Sequence, residues 1–477
     1  MSRRHIANIF LVLMALSIVM GAYSSLSMPA VAGFTESELQ APDSYSPPAL
    51  PAMPSNIAGD TSARPDISVR ILIGQIFAEY GGSVRIIIKN NDTRAIFLEE
   101  LLFEWVGTGT NSSIVLNRRI TSMDAYEVGA LAVPSPPGTG LQEYQLRMRL
   151  LQFRNNQWYR MVSGGNDWLS FSEHSIDVME LAEQGDNPFV HNPRKYYAKT
   201  NELMDLSSPA VANATWAATA EMAAGYDMGK VCALFDWLVI NINYTEDPDG
   251  GDHWLSPDET LAAMTGDCED FAMLLAAMVD NAGGTARVYL TRDHAFAAVY
   301  VGKNSSDLDD AAADIRAYYR TPVQMHYFSD GAGYWMVADP LGSFYMGGLA
   351  VGQVPYGLWN GSWNSTFPES STLYSIDVTG LSLGYPIWLD PMLWTGMTLV
   401  FGFLTIGFML SAQAERPATK TLCFICAGEI GEDLYRCPYC QTTYHRHCAF
   451  EGAYCRTCGK AIQYPAPPPA PRERNEF

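Results

Sequence analysis

The chain has 477 residues, of which 48% are hydrophobic, and a formal net charge of −21 at pH 7. This length and hydrophobic content allow two or three domains with apolar cores and exclude a chain that is disordered throughout. Most of the negative charge lies in residues 34–410, which carry 20 Lys and Arg against 44 Asp and Glu, whereas residues 411–477 carry 8 against 7. Because an acidic surface repels phosphates, we expect no nucleic-acid binding by the middle of the chain.

The cysteines are also unevenly distributed. Seven of the nine lie between residues 423 and 458, and only Cys232 and Cys268 lie elsewhere. Two cysteines cannot form a disulfide framework for the large middle region. Thiols clustered in a short tail instead indicate metal binding in a reducing compartment.

Residues 1–33 are predicted to be a signal peptide or a signal anchor. Arg3 and Arg4 precede an apolar run that begins at Ile6, and Ala30-Val31-Ala32 has the small-x-small form of a signal-peptidase site. The pattern indicates export, and it does not decide whether the segment is cleaved or retained as an anchor.

Two segments of different composition follow. Residues 34–65 are predicted to be a Pro-rich linker, because six prolines stand among small and polar residues there. In residues 66–182, short β-rich runs alternate with clusters of Gly, Asn and Pro, which predicts a β-sandwich-like domain. We expect this domain to act as a spacer or to bind a partner through its loops.

Residues 188–385 are predicted to form an α+β domain. Helical periods cover Met228 to Asn241 and Phe271 to Asn281, and strands follow them. The run Ser256-Pro257-Asp258-Glu259 has the capping residue, the proline and the acidic residues that open a short helix.

A candidate nucleophile lies at the start of the second of these helices. The run Gly266-Asp267-Cys268-Glu269-Asp270 leads directly into apolar residues. A helix N-terminus favours the thiolate of Cys268, which is the form that attacks carbonyls. The charges of Glu269 and Asp270 oppose the thiolate, so we expect a basic partner.

That partner is predicted to be His294. It opens a strand that runs to Val301, and Asp339 ends another strand that begins at Tyr334. Antiparallel pairing of the two strands would place His294 and Asp339 side by side. His294 would then take the thiol proton and later protonate the leaving amine, while Asp339 would hold the ring in the correct tautomer.

The order and spacing of these residues resemble the transglutaminase-like superfamily over residues 228–342. The matching features are Asp236-Trp237, Tyr244, the segment 256–268, Ala286-Arg287-Val288, His294-Ala295-Phe296 and Asp339-Pro340. The resemblance implies a papain-related fold in which Cys268, His294 and Asp339 are nucleophile, base and orienting acid. Members include protein cross-linkers, thiol proteases, amidases and catalytically silent forms. Phe296 stands where the family often has Trp, and no calcium-site motif of the animal cross-linking enzymes is visible.

Alternatives at this site stay open. Cys232 lies in an apolar run and is expected in the core, but a disulfide between Cys232 and Cys268 would silence the nucleophile. His253 and His326 are alternative bases that no motif surrounds.

Residues 391–412 are predicted to be a transmembrane helix. From Met392 to Ala412 there are 21 residues without a charge, close to the roughly 20 that span the hydrocarbon. Arg416 and Lys420 follow, as expected on the cytoplasmic side. We therefore expect a cell-membrane protein with one or two passes, a large exterior domain and a cytoplasmic tail; the alternative is a buried core helix.

The tail is predicted to contain a small treble-clef finger of the RING or PHD type over residues 421–462. Eight ligands in four pairs fit two structural zinc ions, and sequential pairing is the alternative to interleaved pairing. The interleaved sets are Cys423, Cys426, His445 and Cys448 on one ion, and Cys437, Cys440, Cys455 and Cys458 on the other. His447 is a neighbouring imidazole that could replace His445. Residues 463–477 form a Pro-rich tail.

The combined pattern predicts a multidomain, membrane-anchored thiol enzyme. The expected activity is that of a cysteine protease, an amidase or an acyltransferase, acting on peptide or isopeptide amides of a protein or peptide substrate outside the cell. The finger is expected to bind a cytoplasmic protein. The alternative is a non-catalytic surface receptor or scaffold that uses the same fold for binding.

Overall fold

The structure is a computed structural model that describes residues 3–26, 34, 38–247, 253–359, 361–378, 396–406, 421–432, 434–450 and 454–462. The chain divides into two compact units, one of residues 28–384 and one of residues 1–27 with residues 385–477. The described part of the chain is mostly β-rich.

The first half of the larger unit consists of two mainly antiparallel sheets. Its strands are β1 (Ile57–Thr61), β2 (Ile67–Ile73), β3 (Gly82–Asn90), β4 (Ile96–Trp105), β5 (Asn111–Ile120), β6 (Ala125–Val133), β7 (Gly140–Arg154), β8 (Gln157–Met161) and β9 (Leu169–Val178). One sheet has the order β1-β8-β7-β4-β5, with β9 also paired to β7, and β1 joins β8 in parallel. The other sheet has the order β2-β3-β6.

Alternating apolar residues bring these two sheets together. In β7, Tyr144, Leu146 and Met148 are buried, while the residues between them are partly exposed. They share one core with Ile86 and Ile88 of β3, on the other sheet. A period of two therefore gives each sheet one apolar face, and the two faces pack against each other.

The second half of the larger unit is an α+β domain. Its helices are α2 (Arg194–Leu203), α3 (Pro209–Thr219), α4 (Met228–Asn241), α5 (Pro257–Ala263), α6 (Cys268–Asn281) and α7 (Ser305–Tyr319). Its strands are β10 (Phe189–His191), β11 (Asn243–Tyr244), β12 (Thr265–Gly266), β13 (Ala286–Leu290), β14 (Ala295–Gly302), β15 (Tyr327–Asp330), β16 (Gly333–Ala338), β17 (Val354–Trp359), β18 (Ser362–Thr366) and β19 (Leu373–Asp377). The central sheet has the order β10-β19-β13-β14-β16-β15.

Helix α6 is the central helix of this domain. Every residue from Glu269 to Val279 is buried, and the helix contacts β13, β14, α3, α4 and α5. A helix that is apolar on all sides is stable only inside a core. Its burial fixes the position of its first residue, Cys268.

The two halves of the larger unit are joined by specific polar contacts. The hydroxyl of Tyr80, which precedes β3, lies 3.0 Å from Nε2 of His326. The backbone N–H of Ala132 in β6 donates to Oγ1 of Thr321 at 2.9 Å.

The segment predicted to be a Pro-rich linker contacts the α+β domain. Asp43 exchanges two backbone hydrogen bonds with Tyr226 and Met228, at 2.8 and 3.2 Å. The backbone N–H of Gln40 donates to Oγ1 of Thr285 at 2.9 Å, and that of Tyr45 donates to the carboxylate of Asp314 at 2.8 Å. Its composition predicts a spacer, whereas its backbone N–H groups find acceptors on the domain surface.

The smaller unit contains helix α1 (Arg3–Leu26), a helix over residues 396–406, here α8, and a small finger. Oγ of Ser17 lies 2.8 Å from Oγ1 of Thr398, and the ring centroids of Phe10 and Phe401 are 6.2 Å apart. Across the described residues, no helix is both long enough and apolar enough to span a membrane. The rest of the predicted 391–412 span, the predicted cleavage site at 30–32 and the Pro-rich tail at 463–477 lie outside the described residues.

The finger is built from β20 (Leu434–Arg436), β21 (Thr443–His445) and α9 (Arg446–Phe450). The two strands form an antiparallel hairpin. Its buried residues are few and half of them are cysteines: Cys423, Cys437, Tyr444, Ala449, Cys455 and Ile462. So small an apolar core cannot supply the folding free energy by itself.

Candidate functional site

Cys268 is the first residue of α6, as predicted. A capping box links the N-cap residue Asp267 with Asp270. The carboxylate of Asp270 also accepts a hydrogen bond of 2.8 Å from the backbone N–H of Leu255. The acidic residues of this turn therefore fix the backbone on both sides of the thiol.

The Cys268 thiol has two close partners. Its S–H donates to Oε2 of Glu269 at 3.1 Å. The sulfur also accepts a hydrogen bond from the backbone N–H of Ala295. Because Ala295 follows His294 directly, the sulfur lies beside the backbone of the predicted base.

His294 and Asp339 form a close pair, as the strand register predicts. Ala297 of β14 lies opposite Ala338 of β16, and continuing this antiparallel register places Asp339 opposite Phe296. His294 is two residues before Phe296, so it is the diagonal neighbour of Asp339. Nε2 of His294 lies 2.7 Å from Oδ2 of Asp339.

The Asp339 carboxylate is itself held in place. Its side chain is 2% exposed. Oδ1 accepts a hydrogen bond from the N–H of Leu341 at 3.0 Å, and Oδ2 accepts one from the N–H of Val351 at 2.8 Å. A buried carboxylate with these donors can orient an imidazole and stabilise its protonated form.

Burial and the neighbouring acidic residues both disfavour the thiolate of Cys268. Burial raises the pKa of Cys268, and the charge and hydrogen bond of Glu269 raise it further. The helix N-terminus was expected to favour the thiolate, but burial, followed by the charge and hydrogen bond of Glu269, raises the pKa of the thiol.

Negative charge extends around this turn. Burial and then the charge of Glu269 raise the pKa of Asp267 to about 7. Burial, with a smaller effect of Asp267, raises the pKa of Asp270 to about 6. The parallel pairing of Tyr244 with Gly266 brings β11 to the same place, and burial followed by the Cys268 charge raises the pKa of Tyr244.

The cysteine and the two histidines that compete with the predicted site residues have different roles. Cys232 is buried in α4, and both it and Cys268 are free thiols, so no disulfide joins them. His326 is buried between Tyr80 and Ser365, and burial lowers its pKa to about 3. It is a neutral structural residue, and His253 lies in an exposed loop.

A cavity of about 660 Å³ lies beside the turn that leads to His294. The N–H of Thr291 in that turn donates to the backbone oxygen of His294 at 2.8 Å. The lining residues are Gly185, Asp186, Asn187, Thr291, Arg292, Phe367, Pro368, Glu369, Ser370, Ser371, Thr372 and Tyr374. The cavity has both polar and apolar lining groups, and neither His294 nor Cys268 is among its lining residues.

Four hydrogen bonds of this site were not predicted from the sequence. They are the hydrogen bond from the thiol to Glu269, the hydrogen bond from Ala295 to the sulfur, and the backbone donors of Asp339. The carboxylate directly after Cys268 was the one available signal for the first. A backbone N–H donates a hydrogen bond whatever its side chain is, so the sequence does not reveal such donors.

The eight candidate metal ligands in the tail form the two predicted interleaved groups. Cys423, Cys426, His445 and Cys448 converge in one group, and Cys437, Cys440, Cys455 and Cys458 in the other, with the ligand atoms of each within 4.8 Å of one another. These groups could hold metal ions, and the alternative of sequential pairing does not match them.

The distances within these groups suit tetrahedral zinc. The sulfurs of Cys437 and Cys458 are 3.7 Å apart, and those of Cys440 and Cys455 are 3.6 Å apart. Zinc–sulfur bonds of about 2.3 Å at tetrahedral angles separate two sulfurs by about 3.8 Å. Donors of this kind would hold zinc without an open position, which is the form of a structural site.

His445 is the histidine of its group. Its Nδ1 lies 3.3 Å from the sulfur of Cys426, and its Nε2 lies 2.9 Å from the backbone oxygen of Glu429. A carbonyl on the second nitrogen is the usual way to direct the first toward a metal. His447 stacks on His445 with ring centroids 5.1 Å apart and is not in the group.

Comparison with known proteins identifies one family over part of the chain. Residues 214–340 match the family model of the transglutaminase-like superfamily, somewhat more than a quarter of the chain. The chain contains a transglutaminase-like domain. No curated protein matches the chain.

Solved structures that share local similarity with the chain are remote. The putative ApaA protein of Bordetella pertussis is 10% identical, covers 25% of this chain and 98% of its own, and has a TM-score of 0.18. The reelin-N domain of F-spondin is 13% identical, with coverages of 26% and 96% and a TM-score of 0.13. The human F-spondin reeler domain is 13% identical, with coverages of 26% and 95% and a TM-score of 0.14. Such low scores carry no argument about function.

Replacing Glu269→Gln should make Cys268 more reactive. Removing the charge lowers the thiol pKa, and each unit of that decrease gives up to about tenfold more thiolate at neutral pH. The rate of alkylation by iodoacetamide should therefore rise several-fold at pH 7, while the rates of wild type and variant converge at high pH. The measurement is the pH profile of Cys268 alkylation, followed by mass spectrometry of its peptide. Asp309→Asn, an exposed acidic residue on α7, is the control, and an unchanged profile for Glu269→Gln would refute the assigned role of the carboxylate.

Zinc removal should unfold the finger within the full chain. We expect two zinc ions per chain by elemental analysis, with residues 421–462 losing hydrogen-exchange protection when a chelator is added, because metal binding supplies the folding free energy. His445→Ala should lower the zinc content, whereas His447→Ala should retain both ions. Equal losses for the two histidine variants would contradict the ligand assignment.

Proposed function

We propose that the transglutaminase-like domain is a thiol enzyme that cleaves or exchanges peptide or isopeptide amides. Cys268 is the nucleophile, His294 the base and Asp339 the acid that orients it. The observation that carries the proposal is the buried His294–Asp339 hydrogen bond of 2.7 Å, next to a half-buried thiol at a helix N-terminus.

The chemistry follows from the two ring nitrogens of His294. Nε2 is engaged by Asp339, so Nδ1 is the nitrogen that takes the Cys268 proton. The sulfur then forms a bond to the amide carbonyl carbon, the C–N bond breaks, and the amine leaves with the proton from His294. Water or a second amine attacks the resulting thioester and releases the thiol. Attack by water makes the domain a protease or amidase, and attack by an amine makes it an acyltransferase.

The neighbourhood of the histidine supports a polymeric substrate. The cavity of about 660 Å³ beside Thr291 and Arg292 is lined by both polar and apolar groups. A peptide chain has backbone donors and acceptors that such a lining can bind. Protein or peptide is therefore the proposed substrate class.

Cys268 labelling tests the catalytic proposal. His294→Ala should slow iodoacetamide alkylation of Cys268 at pH 7 by tenfold or more, because the thiol then has no base to take its proton. His253→Ala, an exposed histidine outside the site, should leave the rate unchanged, and thermal unfolding of both variants checks that they fold. If His294→Ala labels as fast as the wild type, the enzyme proposal fails.

A receptor or scaffold is the second candidate function. The raised pKa of Cys268, caused by burial and by Glu269, favours it, because a protonated thiol is a poor nucleophile. In a scaffold the same cleft would bind a ligand without turnover. Slow labelling that neither His294→Ala nor Asp339→Asn changes would favour this candidate.

We also propose the topology that the sequence predicts. The charge-free residues 392–412, followed by Arg416 and Lys420, would anchor the chain, with the thiol domain outside and a zinc-bound finger in the cytoplasm for a protein partner.

Membrane attachment can be tested with a pair of charges. The wild-type chain should stay in the membrane fraction after alkaline extraction, and protease added to intact cells should digest the thiol domain while sparing the finger. In a chain whose signal segment has been cleaved, the double variant Leu399→Arg and Leu404→Arg should be extracted, since each central Arg costs about 3 kcal/mol of insertion free energy. Leu399→Ala with Leu404→Ala is the control. Extraction of the wild type would end the anchor proposal.

A further inference from the structure

Asp267, Cys268 and Glu269 form a second, different group of candidate metal ligands. One carboxylate oxygen of each acid and the Cys268 sulfur all lie within 4.8 Å of one another. The sulfur and Oε2 of Glu269 are already 3.1 Å apart, with the thiol proton between them. These residues belong to the reacting centre and not to the finger.

The Asp267 carboxylate is incompletely satisfied. The residue is 9% exposed, and its Oδ1 atom is buried without a hydrogen-bond partner among the residues that the structure describes. Leaving a buried carboxylate oxygen unpaired is costly, and its neighbours Cys268 and Glu269 offer no positive charge. The carboxylate shares a hydrogen bond with Glu269, and its Oδ1 atom is left as an unused ligand atom.

We infer that Asp267, Cys268 and Glu269 bind a thiophilic divalent cation, of which zinc is the best fit, and that this ion reversibly blocks the nucleophile. In binding, a zinc–sulfur bond replaces the sulfur–hydrogen bond, the proton passes to water, and no group is oxidised or reduced. The two carboxylates supply the second and third ligands, and water supplies the fourth. The regulatory consequence rests on the proposed function of Cys268, whereas the binding itself does not.

The donor set selects the metal. Tetrahedral zinc with bonds of about 2.3 Å to sulfur and about 2.1 Å to oxygen separates the two ligands by about 3.6 Å, so the 3.1 Å pair needs to open by only about half an ångström. Calcium requires six to eight oxygen ligands, and magnesium binds thiolate poorly. A hard cation should therefore not replace zinc here.

Both carboxylates should be necessary. The helix N-terminus carries partial positive charge and disfavours a cation. The thiolate and two carboxylates must overcome this, so the loss of either acid should weaken zinc binding markedly. A generic association of zinc with an acidic surface would not depend on Asp267 or Glu269 in particular.

Zinc protection of Cys268 tests the inference on the full chain with its finger already loaded with two zinc ions. Free zinc is then set with a chelating buffer, and iodoacetamide alkylation of the Cys268 peptide is followed by mass spectrometry. We expect zinc to slow alkylation by at least tenfold, with binding of a third ion per chain and recovery after dilution into zinc-free buffer. Magnesium at the same concentration should have no effect.

Matched variants decide the outcome. Asp267→Asn and Glu269→Gln should each raise the free zinc needed for half-protection by at least tenfold, after correction for the proton competition measured on each variant's thiol. Asp309→Asn should not change it. Unchanged half-protection in both site variants, equal protection by magnesium, or no protection by zinc would each overturn the inference.

The test is separable from that of the proposed function. Labelling of the zinc-free chain and its His294→Ala variant reports on catalysis, and the ratio of rates with and without zinc reports on the metal site. Thermal unfolding of Asp267→Asn, a nearly isosteric change at a helix N-cap, checks the fold. If Glu269→Gln unfolds, the free zinc needed for half-protection of Asp267→Asn still tests the inference.

Discussion

The complete burial of helix α6 determines where the chemistry of this protein can take place. Its residues from Phe271 to Val279 fill the core between α3, α4 and the central sheet, so the helix cannot shift or rotate without opening cavities. Its first residue, Cys268, is therefore presented at a fixed point beside the beginning of β14. The pairing of β14 with β16 then brings Asp339 to His294, and the neighbouring Ala295 donates a hydrogen bond to the Cys268 sulfur.

The acidic residues around Cys268 stabilise the start of α6, but they disfavour the thiolate form of Cys268. Asp267 and Asp270 cap α6 and contribute to its start, and Glu269 accepts the thiol hydrogen bond. Asp267 thus both caps the helix and, with Glu269, raises the pKa of the Cys268 thiol.

Much of this arrangement could be predicted from residue identity. The helix from Met228 to Asn241 has the predicted bounds, because apolar periodicity marks it. Strand alternation also predicted the His294–Asp339 contact, and cysteine spacing predicted the interleaved groups of the finger. The net direction of the Cys268 pKa was not predictable, because it depends on how deeply the thiol is buried and on which rotamer Glu269 adopts. The contacts of residues 38–48 were also missed, since backbone N–H groups are independent of side-chain composition.

The segment that runs from Gln40 to Tyr45 has a practical meaning for handling this protein. Its backbone docks on Tyr226, Thr285 and Asp314, all in the thiol domain, although the sandwich comes between them in the chain. A recombinant fragment that starts at the β-sandwich lacks residues 40–45, so those acceptors would lose their hydrogen-bond donors. A fragment of the thiol domain alone would lose the same donors. Phe34 also contacts this domain, because its backbone N–H donates to the carboxylate of Asp377 at 3.0 Å, so a fragment that keeps these contacts begins at or before Phe34.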